Sequence, residues 1–194
     1  MADSDIFILK QMIQPTAIEK LKSTKYQKKI VELREESDNY TLTIHGMPDD
    51  DEVIVIKVDA FRAPTTIFQG SRGECKRADF VIIADTINKE KFIIFIEMKG
   101  GQNASGGDII KQLKGAQCFV EYCQAIGKLF WDKQDFLDDY KYRFASFKDI
   151  KISKKTTRPK SKYDIHDTPE NMLKISSQNS FYFKNLIGHK KHKK

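Results

Sequence analysis

An acid, one intervening residue and a lysine at the end of an apolar run put two opposite charges on one face of a strand. Acid-x-Lys occurs four times in this chain, at Glu74–Lys76, Glu97–Lys99, Asp139–Lys141 and Asp149–Lys151. Only Glu97–Lys99 follows a long apolar segment and leads into Gly100-Gly101. It also has an acid in register on the segment before it. A turn centred on Asn88 sets Asp79 opposite Glu97, with the Cβ atoms of an opposed pair about 5 Å apart. Lys99 shares the parity of Glu97, and Arg77 would oppose Lys99. Like charges placed opposite each other destabilise a sheet, so something must offset them: a metal ion, Lys99 or Arg77. Two carboxylates, a main-chain carbonyl and waters form an oxygen-only shell that suits Mg2+.

These residues need two strands and whatever covers them. Asp79–Ala84 and Lys91–Met98 read as strands around a polar turn at Asp85–Glu90. Both are apolar on both parities, which predicts a central position in a sheet covered on both faces. After the Gly100–Gly107 loop, Asp108 is a candidate N-cap. Ile109, Leu113, Ala116, Val120 and Cys123 then recur at helical spacing up to Gly127, a candidate stop. Residues 16–37, charged and helix-tolerant, predict two short helices or one broken one. Tyr40–His45 and Val53–Phe61 predict strands around a turn at Gly46–Asp51, and residues 62–76 a loop. Phe136–Tyr142 predicts a short helix, Arg143–Ile152 a strand, residues 153–170 a basic loop and Met172–Leu186 a last strand. The fold class is α/β, in the order α-β-β-β-α-β around a central mixed sheet flanked by helices. Residues 1–188 form one domain and 189–194 a basic tail.

The stretch Cys75-Lys-Arg-Ala-Asp79-Phe-Val-Ile-Ile, followed by Phe95-Ile-Glu97-Met-Lys99-Gly100, resembles the core motif of the PD-(D/E)xK nuclease superfamily. Restriction endonucleases and archaeal Holliday-junction resolvases belong to it. Ala78 stands where the naming proline would be, a position that varies in that superfamily. The resemblance spans roughly residues 53–125. It implies a restriction-endonuclease-like αβββαβ core and Mg2+-dependent phosphodiester hydrolysis, with Mn2+ able to substitute. By position, Asp79 and Glu97 would be metal ligands, joined by the Met98 main-chain carbonyl. Lys99 would orient the attacking water or stabilise charge on phosphorus. A further acid from the first helix is common in the superfamily. Glu32, Glu35 and Glu36 are available, Glu36 being favoured, and Asp59 competes with it.

The net charge of +7 points to a polyanionic partner, nucleic acid before acidic membrane, and the resemblance favours DNA over RNA. Arg72 and Arg77 are candidate phosphate contacts, and Gln112 could bond substrate or metal-bound water. Lys190 and Lys191 lie in the almost purely basic segment Gly188–Lys194, either a solvated tail or an electrostatic arm. Three cysteines with no CxxC pair argue for a reducing compartment and against structural zinc. The four histidines have no metal spacing. The longest apolar run, Phe92–Ile96, is too short to span a bilayer. With no basic, apolar leader at the start, the expectation is a cytoplasmic protein. The small size also leaves room for a homodimer or a larger complex. The rival function class is a nucleic-acid-binding or interaction subunit that keeps the fold without catalysis.

Overall fold

The computed structural model describes residues 3–36, 39–86, 89–100, 105–148 and 165–188. Helix α1 (Asp5–Met12) opens the chain, its N-terminus capped by Ser4, whose Oγ accepts from the Phe7 amide at 3.1 Å. Strands β1 (Lys22–Ser23), β2 (Lys29–Glu35) and β3 (Tyr40–His45) follow, then β4 (Val53–Lys57), β5 (Phe80–Asp85) and β6 (Lys91–Lys99). Helix α2 (Gly106–Phe130) crosses over to β7 (Lys141–Lys148), and β8 (Leu173–Ser176), β9 (Ser180–Tyr182) and α3 (Phe183–Leu186) complete the described elements.

Five strands form the central sheet in the order β4-β5-β6-β7-β8. The β4–β5 and β5–β6 pairs are antiparallel, whereas β6–β7 and β7–β8 are parallel. The sheet is therefore mixed, as the sequence predicts. Its faces follow from the double-sided apolar strands. Val81, Ile83, Ile93, Phe95 and Phe144 point to one core, shared with Ile6 and Leu9 of α1 and with Ile109, Leu113, Ala116 and Val120 of α2. Phe80, Ile82, Ile94, Ile96 and Phe147 point to a second core.

That second core is closed mainly by a sheet, with Phe183 and Leu186 of the short α3 beside it, which corrects the expectation of helices as the cover on both faces. The covering sheet has the order β1-β2-β3-β9 and contributes Val31, Leu33, Leu42 and Ile44. Part of the predicted helical region 16–37 is thus strand β2, antiparallel to β3. Val31 and Leu33 are two residues apart and fully buried, with Glu32 between them and Arg34 after them on the other parity. Period-two burial against β3 overrides the helix propensity of Glu, Lys and Arg. The first helix lies earlier, at residues 5–12.

Three smaller expectations also change. Ser105, not Asp108, caps α2: its side chain accepts from the Asp108 amide at 3.2 Å. Gly127 does not end α2. It lies inside the helix against Phe136, whose ring atom would sit 2.1 Å from a Cβ built there. Gly127 is there for close packing and not as a stop. The predicted helix at Phe136–Tyr142 is a turn running into β7, with Phe136 and Leu137 buried. Residues 149–152 of the predicted strand and 153–164 of the basic loop lie outside the described residues. No described helix is long and apolar enough to cross a membrane.

Candidate active site at the open end of the β5–β6 hairpin

The hairpin register places the acids. Phe80 pairs with Ile96 and Asp85 with Lys91, so residue numbers across the ladder sum to a constant that sets Asp79, just before β5, against Glu97. This is the predicted register. Asp79 is held from two sides. Its carbonyl accepts from the Val58 amide at 2.8 Å, and its Oδ2 accepts from the Met98 amide at 2.6 Å. Met98 thus contributes to the site through its N–H, which fixes the carboxylate.

Asp79 is 6% exposed and Glu97 fully buried. Burial raises both carboxyl pKa values well above the ordinary range; the neighbouring Glu97 charge adds to the rise at Asp79. Lys99 Nζ lies 2.7 Å from Glu97 Oε1 and opposes the rise there. Even so, neither Glu97 oxygen accepts a well-aligned hydrogen bond: the ammonium is close enough for an ion pair but badly angled. Burial pulls the Lys99 amine down, yet Glu97 first, then Asp79 and Glu35, outweigh it and hold it above its usual value.

The other end of the same hairpin shows how this chain treats a buried acid that it merely stores. Asp5 on α1, 4% exposed, meets Lys133 at 2.7 Å and Lys91 at 3.7 Å. Two cations serve one carboxylate there. At the open end one cation serves two carboxyl groups and can neutralise only one of them, so burial drives the other toward its protonated form.

A stability prediction follows. The folded Asp79 carboxyl titrates above its unfolded value, so between the two values the native state binds more protons, and stability falls as pH rises from about 4 through neutrality. Asp79→Asn keeps an oxygen for the Met98 amide and removes the charge. Without divalent cations it should melt higher than wild type at pH 7, by roughly 3 °C or more if one pKa unit is recovered, with the gap closing near pH 4. A lower melting temperature for Asp79→Asn at pH 7 would show that the charge is already compensated.

The remaining candidates sort by position. Glu36 is exposed and its Oε1 lies 3.2 Å from Lys57 Nζ. Asp59 is exposed, with Lys57 and Arg77 as its cationic neighbours. Glu32 is bound by Lys22 at 2.6 Å. Glu35, the last residue of β2, is the acid whose charge acts on Asp79, Glu97 and Lys99 together. Period-two burial of Val31 and Leu33 is the sequence signal that would have put Glu35 on the inward parity.

Arg77 donates from Nη1 to the Cys75 carbonyl at 3.2 Å, and its buried Nε has no partner among the described residues. Burial lowers its pKa, with Asp59 opposing. Arg72 is exposed in the loop before the site. Gln112 is half-buried on α2, one turn after Asp108. Lys190 and Lys191 lie outside the described residues. Sequence reasoning passed over Ser146, which is 3% exposed and pairs in parallel register with Glu97.

No protein-family model, no curated protein and no solved structure matches the chain. The site is therefore judged on its own atoms. Among the described residues no group of three or more His, Cys, Asp or Glu is placed to hold a metal ion. Mg2+ does not require one, since it keeps several waters and is often bound by one or two carboxylates plus substrate phosphate. Two adjacent buried carboxyl groups, with Glu97 Oε2 holding no hydrogen-bond partner among the described residues, suit that hard cation.

Proposed function

We propose that this chain is a Mg2+-dependent nuclease that hydrolyses phosphodiester bonds in DNA, on a restriction-endonuclease-like core. The observation that carries the reading is the buried Asp79–Glu97 pair, with the Lys99 ammonium 2.7 Å from Glu97 Oε1. Element order supports it. With the second sheet set aside, α1, β4, β5, β6, α2 and β7 run in the order α-β-β-β-α-β, and β8 and α3 follow them.

The roles follow from charge and position. Asp79 and Glu97 would hold the cation, which when bound supplies an activated water and relief of charge at phosphorus. The Met98 N–H keeps Asp79 aimed. Lys99, at the end of β6 and one quarter exposed, presents a fixed positive charge where a phosphate would approach. Calorimetric titration should show Mg2+ or Mn2+ binding at least tenfold weaker in Glu97→Gln, which keeps the shape and loses the charge. The full chain should cleave DNA only with divalent metal. If wild type and Glu97→Gln bind metal equally, the carboxylate pair is not the metal site. Binding of DNA with no cleavage in any divalent cation would favour the non-catalytic class.

A further inference from the structure

We propose that the cavity between the N-terminus of α2 and the C-terminal ends of β7 and β8 is a second phosphate subsite, which holds the backbone phosphate next to the one at Asp79 and Glu97. The proposal rests on the nuclease reading for its substrate class. The geometry comes from three parallel strands. Glu97 pairs with Ser146 and Ser146 with Lys174; Lys99 pairs with Lys148 and Lys148 with Ser176. Register partners project to one face, here the α2 face, because Phe95 and Phe144, two residues earlier on their strands, lie in the core beneath α2. At a strand spacing of about 4.8 Å, Ser146 is about one step and Lys174 about two steps from Glu97. Neighbouring phosphates of one nucleic-acid strand fit that range.

Size and lining define the occupant. The cavity has a volume of about 150 Å3. That equals about five waters at ~30 Å3 each and falls short of the ~300 Å3 at which small-molecule pockets begin. A phosphate fits. Among the described residues its wall holds Ser146, Lys148, Lys174, Ser176 and Gly106 beside three apolar side chains, and no carboxylate. Ser146 is nine-tenths buried and its hydroxyl has no hydrogen-bond partner among the described residues. The hydroxyl lines the cavity, where a phosphate oxygen could accept its hydrogen. Gly106 begins a helix of 25 residues, and a Cβ built there meets nothing within 4 Å. Ser105 takes the Asp108 and Ile109 amides, and the Gly106 and Gly107 N–H groups that remain in that first turn favour an anion. The nearest first-turn acid, Asp108, is held by Lys76 at 2.6 Å and by Ser105 at 3.1 Å.

The test uses the full chain and two probes. Inorganic phosphate, followed by amide chemical shifts, should perturb Gly106, Ser146 and Lys174. Its affinity should fall at least fivefold in Lys174→Gln and in Ser146→Ala. For oligonucleotide cleavage, Lys174→Gln should raise KM about tenfold with kcat within twofold, and leave a dinucleotide substrate, which has no neighbouring phosphate, unaffected. No phosphate-induced shift at those amides, or equal affinity in both variants and wild type, overturns the subsite even if the chain cleaves DNA. Phosphate binding in a chain that cleaves nothing keeps the anion site and sinks the nuclease reading instead.

Discussion

Lys99→Ala is expected to lower phosphodiester cleavage by about a hundredfold or more, equivalent to about 3 kcal/mol of barrier, while nucleic-acid binding stays near normal. Two features of the lysine give that split. Its ammonium is fixed 2.7 Å from Glu97 Oε1, and its side chain is one quarter exposed at the strand end, so it can face a bound phosphate. Negative charge on the phosphoryl oxygens grows toward the transition state, and a fixed cation gains most there. Binding draws instead on contacts spread over the surface, of which Lys99 is one among 34 lysines and arginines. The variant should fold, because losing the cation leaves Glu97 with the option of taking up a proton, toward which burial already pushes it. Lys99→Arg keeps the charge but spreads it over a wider planar group, and should recover little activity. The decisive measurement is single-turnover cleavage in Mg2+ beside an affinity titration. Wild-type rates in Lys99→Ala would leave a cross-strand ion cluster as the meaning of Asp79, Glu97 and Lys99.

The parts of this site that could be read from sequence are those set by local rules. A hairpin with a short turn fixes its own register, so the opposition of Asp79 and Glu97 follows once the turn is centred on Asn88. Two-sided apolarity placed β5 and β6 inside the sheet, and helical spacing at Ile109, Leu113, Ala116 and Val120 found α2. What sequence did not disclose depends on distant partners. The parallel register of β6 and β7 is set across the α2 crossover, so nothing near Ser146 announces that Glu97 is its neighbour. Strand β2 is rich in residues that favour helix, and its identity rests on pairing with β3 and burial against the central sheet. Missing β2 as a strand meant favouring Glu36, which faces Lys57, over Glu35 on the inward parity. The covering layer was misjudged for the same reason: apolarity on both faces says that something covers them, and not whether it is helix or sheet.

Gly115→Ala is expected to damage the site through the backbone and not through any charged group. In an ordinary helix interior the change to alanine stabilises by about 1 kcal/mol. Gly115 is not ordinary: a Cβ there would stand 1.7 Å from the Lys76 carbonyl oxygen and 2.7 Å from its carbonyl carbon. Both obstacles are main chain, so no side-chain rotation relieves them. Either α2 or the Lys76–Arg77 peptide has to move. The peptide leads through fully buried Ala78 to Asp79, whose carbonyl and carboxylate are bonded to Val58 and Met98. Overpacking against a well-fitted neighbour costs about 1–3 kcal/mol and at times more, which outweighs the propensity gain. A net loss of about 2 kcal/mol would lower the melting temperature by roughly 4–8 °C. Activity should fall further than stability, because displacement of a reacting group by about 1 Å can cost a hundredfold in rate. Gly107→Ala is the control: its nearest obstacle is Ser105 Oγ at 3.9 Å, an ordinary contact, and it should be neutral or mildly stabilising. Thermal melts and cleavage rates of the two variants side by side decide the matter. If Gly115→Ala matches Gly107→Ala in both, α2 does not press on the segment that carries Asp79, and the carboxylate is positioned by the hairpin alone.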